Sequence, residues 1–336
     1  MDCTLFIPHL LPPREGGEAL WRMVDAPQLK TLLARATMTH DDSTDPHAAL
    51  CGLLGVARQL DFPLAPLLAR QRAIDSASGF WLCATPVHLE TRRNALVLSD
   101  PAALAISAAE SSAFATTLAE HLREENILLH APQPGTWFLS DASAPTMTTS
   151  SLGSAIGRDV RTLLPQGKDS QRWHRILTEM QMLLHAHPLN DAREARGLPT
   201  VNSVWLWGGG TLPAPVPQPF ATVWSDDFIA GALAQHAGCP QAPLPARIMP
   251  ESLIDGAHLF TFEDPEKLWR QGDAQTWSST VTALERDWFK PLVAGLGMRR
   301  PNALTLIAST HDGGTLKFAA HKTDLFKFWR KNKYLP

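Results

Sequence analysis

The alternation of hydrophobic and polar positions predicts strands and helices that exchange along most of the chain. Residues 3–10 form an apolar run typical of a first strand, which ends at a proline pair. Residues 19–36 then carry apolar side chains at helical spacing. The further predicted strands are 79–89, 95–98, 126–129, 137–139, 201–206, 221–224, 258–262, 303–308 and 315–319, and the further predicted helices are 46–60, 111–124, 170–185, 227–236 and 278–294.

This alternation predicts an α/β fold with a mixed, mostly parallel sheet flanked by helices. A stretch rich in Ser, Thr and Ala between residues 140 and 154 predicts a boundary or loop. We therefore expect an N-terminal α/β region at 1–140 and a second α/β region at 155–336, with one continuous domain as the alternative.

Composition and charge narrow the class of protein. With 336 residues, 44% of them hydrophobic, the chain can bury a sizeable core. A net charge of −3 without an isolated basic run predicts no nucleic-acid partner. Four widely spaced cysteines are expected to be buried, reduced thiols. Since we find neither a signal-like segment nor a long apolar run, we expect a cytoplasmic protein without a membrane partner.

One basic cluster stands out near the C-terminus. Its members are Lys327, Arg330, Lys331 and Lys333, interleaved with the aromatic residues Phe326, Phe328 and Trp329. The favoured interpretation is a solvated charged face whose aromatic residues dock onto the body of the protein. A ligand site is the alternative.

The densest group of polar residues precedes and includes the predicted strand at 201–206. The candidate ligand-binding residues are His187, Asn190, Arg193, Arg196, Asn202, Gly208, Gly209 and Gly210. Two arginines one helical turn apart can hold a phosphate or carboxylate, and glycines let backbone N–H groups approach an anion. The alternative is structural: His187 caps the preceding helix, the arginines pair with Glu194 and Asp191, and the glycines stop the strand and turn the chain.

These residues also carry a resemblance to a known family. The run HPLNDAREARGLPTVNSVWLWGGG resembles the archaeal-type cofactor-independent phosphoglycerate mutases, in which a His-Pro-x-Asn group precedes a basic segment, an Asn, an apolar strand and a glycine-containing turn. The following PFATVWSDDFIAGALAQHAG is similar to the family's next strand and helix. The whole chain, including FWLCATPVHL and DLFKFWRKNKYL, resembles still more closely the bacterial regulatory proteins of the RpfE type.

The mutase resemblance implies an alkaline-phosphatase-like fold in which two divalent metals activate a Ser or Thr nucleophile. The chain departs from that pattern, because its first strand lacks the Asp-Gly type of metal motif and Trp207 stands where the family commonly has Arg. The resemblance therefore implies an incomplete mutase-like fold without a cofactor. We expect a non-catalytic or regulatory protein that binds an anionic small molecule or a protein partner.

Two other functions stay open. A metal-dependent mutase-like or phosphoester-processing enzyme would use Mg or Mn at a rearranged site drawn from Asp226, Asp227, His311 and Asp312. The simpler interpretation makes residues 309–314 a hairpin turn and the paired aspartates a helix N-cap. A purely structural or interaction subunit is the third possibility.

Overall fold

The computed structural model describes residues 1–12, 17–41, 45–262, 274–310 and 314–330. The helices are α1 (Gly17–Arg22), α2 (Pro27–Arg35), α3 (Pro46–Leu53), α4 (Leu64–Gln71), α5 (Ala108–Glu124), α6 (Leu152–Ala155), α7 (Ser170–His185), α8 (Pro188–Ala195), α9 (Phe228–His236), α10 (Ala274–Leu284) and α11 (Lys290–Gly297). The strands are β1 (Asp2–Leu11), β2 (Thr37–Asp41), β3 (Phe80–Val87), β4 (Leu89–Arg92), β5 (Ala95–Leu98), β6 (Ile127–Gln133), β7 (Thr136–Asp141), β8 (Met147–Thr148), β9 (Gln166–Gly167), β10 (Ser203–Gly210), β11 (Thr222–Trp224), β12 (Gln241–Ala242), β13 (Ala257–Thr261), β14 (Ala303–Thr310) and β15 (Thr315–His321).

The chain divides into two compact units, one formed by residues 1–56 with 215–336 and the other by residues 57–214. The stretch at 140–154, where the sequence predicts a boundary or loop, lies inside the second unit. There it forms β8 and α6, and Thr149 donates from its backbone N and its Oγ1 to Asp61 Oδ2 at 2.8 and 2.6 Å. The small polar residues of this stretch therefore make ordered contacts.

The first unit contains a seven-stranded sheet in the order β12-β11-β13-β1-β14-β15-β2. The five strands from β12 to β14 run parallel, whereas β15 is antiparallel to both β14 and β2. The predicted mixed, mostly parallel sheet is confirmed. The pairing of β14 with β15 also confirms the predicted hairpin strands, although residues 311–313 lie outside the described residues.

Strand β1 occupies the centre of this sheet. It pairs with β13 on one side and β14 on the other, so that Leu5 lies beside both Phe260 and Leu306. Leu5 and Ile7 are 0% exposed, since helices α1, α2, α10 and α11 pack into one core with β1 and β14. The first strand is therefore apolar, because a strand pairs with it on each side and its side chains pack in the core.

The second unit, residues 57–214, is built on a four-stranded antiparallel sheet in the order β10-β3-β7-β6. Helices α5 and α7 place Phe114 and Trp173 in one core with Leu82 and Leu206 of the sheet. Helix α4 contacts β3 and β10. The sequence does not predict α4, because Pro63 and Pro66 interrupt the pattern; both prolines lie where the helix begins, a position that tolerates them.

The sequence predicts that the glycine triplet stops its strand. In the structure the triplet instead forms the last three residues of β10. A Cβ at Gly209 would lie 2.8 Å from the Phe80 ring, and a Cβ at Gly210 would lie 2.5 Å from Pro63 Cβ. Only glycine leaves room for these neighbours, so the triplet serves close packing.

We expect Gly210→Ala to destabilise the protein by about 1–3 kcal/mol, because the added methyl group overpacks the contact with Pro63. Urea unfolding of the full chain measures this loss. Gly153→Ala is the matched control, since the Cβ there meets nothing within 4 Å inside α6, and it should be neutral or slightly stabilising. Equal stability of the two variants would contradict the packing role.

The aromatic residues of the C-terminal segment do not dock onto the body, so that part of the prediction is wrong. Phe326, Phe328 and Trp329 are 65%, 78% and 67% exposed. Of the basic residues, Lys327 and Arg330 are within the described part of the chain, whereas Lys331 and Lys333 lie outside it. The aromatic side chains therefore face solvent beside positive charge.

Candidate functional site

The predicted ligand residues lie on α8, β10 and the connections beside them, all in the unit of residues 57–214. His187 begins α8: its Nδ1 accepts a hydrogen bond from Leu189 N at 3.2 Å. Its ring lies 4.6 Å from the Phe114 ring. Burial lowers the pKa of His187, which favours the neutral imidazole that can accept this bond. His187 thus caps the following helix, not the preceding one.

Asn190 is buried and bonded to backbone groups. Its Nδ2 donates to the carbonyl oxygens of Leu184 and Val201 at 2.7 and 2.9 Å, and its Oδ1 accepts from Val201 N at 2.9 Å. These bonds tie the end of α7 to the approach to β10. The side chain therefore holds two segments together.

Arg193 is 0% exposed and lies among protein acceptors. Its Nη1 donates to Glu110 Oε1 at 2.9 Å, its Nε donates to Pro199 O at 2.8 Å, and its Nη2 donates to Leu104 O. The interpretation that Arg193 pairs with Glu194 or Asp191 is wrong, because its partner lies on α5. The guanidinium joins three separate segments of this unit.

Glu110 accepts hydrogen bonds from Ser107 and from Arg193. Ser107 donates to its Oε2 from the backbone N and from Oγ at 2.9 and 2.8 Å, which forms the capping box of α5. Burial opposes its charge, but the bonds from Ser107 and Arg193 outweigh burial and hold the pKa of Glu110 below its usual range. The pair is therefore a charged structural link.

The remaining predicted residues do not join a common site. Asn202 accepts from Leu89 N at 2.7 Å and donates to Leu89 O at 2.9 Å. Residues 208–210 lie at the other end of β10, roughly 20 Å from Asn202 at strand spacing. Arg196, unlike the buried Arg193, has a side chain that is 64% exposed, and its Nη1 lies 3.7 Å from Glu110 Oε1. Any anion-binding role for this set stays a prediction, with Arg196 as its accessible cation.

We expect Arg193→Ala to destabilise the protein by about 3–5 kcal/mol, because it leaves Glu110 without its buried partner. Urea unfolding followed by circular dichroism measures the change. Arg196→Ala is the matched control, and for its exposed side chain we expect a loss of under about 1 kcal/mol. Similar stability for Arg193→Ala and wild type would exclude the structural role of this pair.

A second candidate site lies at the carboxyl edge of the seven-stranded sheet. The strands β1, β11, β13 and β14 are parallel and end at this edge, where open α/β sheets commonly bind ligands. His9 there has a positive φ of 52°, and its backbone N donates to Ser309 Oγ at 2.7 Å. Beside β1, Thr261 Oγ1 donates to Ser225 Oγ.

The pairing of β1 with β14 is irregular at this edge. Its register shifts between Ile7 and Leu11, which places Pro8 and His9 in a bulge. Bulges and positive φ values often occur near functional sites. The signal in the sequence was a proline followed by a histidine inside an otherwise apolar strand, which the sequence-based interpretation left unused.

The paired aspartates lie on the same edge but serve different ends. Asp227 Oδ1 accepts from Ala230 N at 2.7 Å, which caps α9, and Asp226 is exposed. The ends of β11 and β14 are three strand spacings apart, or about 14 Å. A metal site that joins these aspartates to residues 311 and 312 stays a prediction. His311 and Asp312 lie outside the described residues.

Three further findings concern the residues that the structure describes. No three of their His, Cys, Asp and Glu side chains come together as a metal site would require. The four cysteines are free and buried, as predicted, and burial raises the pKa of the Cys3 thiol to about 12. None of the described helices combines the length and apolar character needed to cross a bilayer.

Sequence comparison finds similarity to phosphoglycerate mutases over short stretches. This chain is 36% identical over 59 residues to the 2,3-bisphosphoglycerate-independent phosphoglycerate mutase of Methanothrix thermoacetophila, a stretch covering 18% of this chain and 15% of that protein. It is 29% identical over 122 residues to the same enzyme of Methanosarcina acetivorans, covering 34% and 30%. The matched stretches thus span less than a third of these curated relatives. No protein-family model matches the chain.

Structural comparison extends over more of the molecule. The PH0037 protein from Pyrococcus horikoshii has a similar fold, with a TM-score of 0.56 and 11% sequence identity over 95% of this chain and 87% of that chain. At this identity the likeness shows the fold alone. The molecule is therefore an α/β protein with a mixed, mostly parallel sheet and weak sequence similarity to phosphoglycerate mutases.

Proposed function

We propose that this protein is a non-catalytic binding protein built on a phosphoglycerate-mutase-like fold. The observation that carries the proposal is the end of the central strand β1. Pro8, Leu10 and Leu11 are buried around His9 there, so this strand end is almost wholly apolar. Dimetal phosphoryl transfer needs several carboxylates that converge on the ions, and β1 supplies only an imidazole.

The other described groups at the carboxyl edge do not fit a pair of divalent cations. Ser225 and Thr261 bond to each other, and Ser309 accepts from the backbone of His9. Asp227 is engaged as a helix cap, and the exposed Asp226 beside it is a single carboxylate. Hydroxyl groups bonded to each other and a capping carboxylate are poor replacements for a set of metal-binding carboxylates, so no catalytic step through a metal is derived for this edge.

Of the two ligand classes that the sequence leaves open, the geometry favours a protein partner. Arg193, one of the two arginines predicted to hold an anion, is fully buried against Glu110. By contrast, Phe326, Phe328 and Trp329 are exposed beside basic side chains, and aromatic residues with arginine are typical of binding hot spots.

The proposal predicts no interconversion of 3-phosphoglycerate and 2-phosphoglycerate by the purified full chain, with or without Mn²⁺, Mg²⁺ or Zn²⁺. The physical reason is that the described donors at the carboxyl edge bond to one another instead of converging on ions. An enolase-coupled assay measures turnover. The mutase of Methanosarcina acetivorans, run under the same conditions, is the positive control. Metal-dependent turnover that His9→Ala abolishes would overturn the proposal and make this edge an active site.

A further inference from the structure

One exposed surface of the first unit combines aromatic side chains with positive charge. We name it the basic-aromatic surface, and its members are the exposed Phe326, Phe328, Trp329 and Arg330 with the half-buried Lys322 and Lys327. Residues 322–336 hold five of the 30 basic residues of the chain and one of its 33 acidic residues. The rest of the chain is therefore acidic relative to this end.

The basic-aromatic surface rests on a base fixed by hydrogen bonds. Buried Asp324 accepts from His321 N at 2.8 Å and from Lys327 Nζ. The guanidinium of Arg35 donates to Leu325 O, and Arg330 Nη1 donates to Arg35 O at 3.2 Å. Because the base is already ordered, less conformational entropy is lost when a partner covers the aromatic residues.

A second exposed surface of the same unit presents two carboxylates beside two apolar side chains. We name it the acidic-apolar surface, formed by Met249, Glu251, Ile254 and Asp255. Met249 and Ile254 are 56% and 63% exposed, and the Asp255 side chain is 92% exposed, 3.9 Å from the terminal amine of Met1. Its base is also fixed, because Leu253 is buried and its carbonyl accepts from Arg300 Nη2 at 3.1 Å.

The two surfaces lie at the same edge of the sheet. The acidic-apolar surface directly precedes β13, and the basic-aromatic surface directly follows β15. Because β15 is antiparallel to β14, its end pairs with the beginning of β14, so both surfaces lie at the amino edge. The strands β13 and β15 are three spacings apart, or about 14 Å. Complementary surfaces set side by side in this way suit a two-fold arrangement, in which each surface meets the other one on a second copy.

We propose that the partner is a second copy of this chain, with the basic-aromatic surface of each copy seated on the acidic-apolar surface of the other. Three aromatic side chains exposed to this degree offer on the order of 400 Å² per copy. Two-fold symmetry uses them twice, which supplies about half of a standard interface of about 1,600 Å². Met249 and Ile254 of each copy add to the remainder. This inference rests on the proposed binding function and names its partner.

Sedimentation velocity of the full chain over a range of concentrations tests the proposal, with the wild type expected to dimerise. In a dimer of Arg330→Glu, the new carboxylate of each copy would face Asp255 of the other. In a dimer of Asp255→Arg, the new guanidinium of each copy would face Arg330 of the other. We expect each variant alone to weaken dimerisation at least tenfold. An equimolar mixture of the two variants should restore the dimer, because both halves of the mixed dimer then pair opposite charges.

Two further variants complete the test. Phe328→Ser with Trp329→Ser should weaken dimerisation by removing apolar area, without rescue in any mixture. Arg158→Glu, a charge reversal at an exposed position of the other unit, should leave dimerisation unchanged.

Three outcomes would overturn the inference: a wild type that stays monomeric at every concentration, a dimer that Arg330→Glu and Asp255→Arg leave intact, and a monomer that instead sediments with phosphatidylglycerol vesicles. None of these depends on turnover. The mutase assay therefore tests the non-catalytic function, and sedimentation separately tests whether the partner is a second copy.

Discussion

The pairing of β1 with both β13 and β14 is the constraint on which the first unit depends. β1 comes from the first eleven residues, whereas its two neighbours begin at residues 257 and 303. Leu5 and Ile7 are fully buried only when both neighbours are in place. The sheet therefore cannot close until the chain has passed through residues 57–214 and returned. Long-range parallel pairing of this kind carries a large loop-closure cost, which the burial of the apolar strand must offset.

The same pairing determines which residues lie at the carboxyl edge of the sheet and which lie at its amino edge. Parallel strands bring their carboxyl ends together, so His9, Thr261 and Ser309 lie at the edge where open α/β sheets commonly bind ligands. Among the described residues, that edge presents hydroxyl groups, buried leucines and the exposed carboxylate of Asp226. The amino edge carries the exposed aromatic and acidic surfaces instead. Our proposals accordingly assign association to the amino edge and no phosphoryl transfer to the carboxyl edge.

Much of the fold can be predicted from the sequence, because strands buried on both faces appear as continuous apolar runs. That is why β1, β3 and β14 are predicted near their observed positions. The polar edge strand β2, with sequence TMTHD, gives no such signal. The helix α4 is hidden by prolines that its first turn accommodates, and the glycines of β10 suggest a turn although their role is close packing. These errors share a cause, since a residue's propensity does not reveal its tertiary neighbours.

The candidate site was harder to predict for the same reason. The spacing of Arg193 and Arg196 suggested a paired anion grip, but the partner of Arg193 is Glu110, 83 residues earlier. No local pattern encodes that contact. Composition likewise could not establish whether Phe328 and Trp329 are covered or exposed. Polar residues that suggest a ligand site can therefore stabilise the fold instead, as the buried Asn190 and Arg193 do here.

The most direct test of the central claim is the number of divalent metal ions bound per chain. The full-length protein would be incubated with excess Mn²⁺, separated from free metal by gel filtration and analysed by mass spectrometry for elements. Our account predicts no manganese above that carried by a metal-free control protein. Two ions per chain, lost in His9→Ala, would contradict it and place a phosphoryl-transfer centre at the carboxyl edge of the sheet.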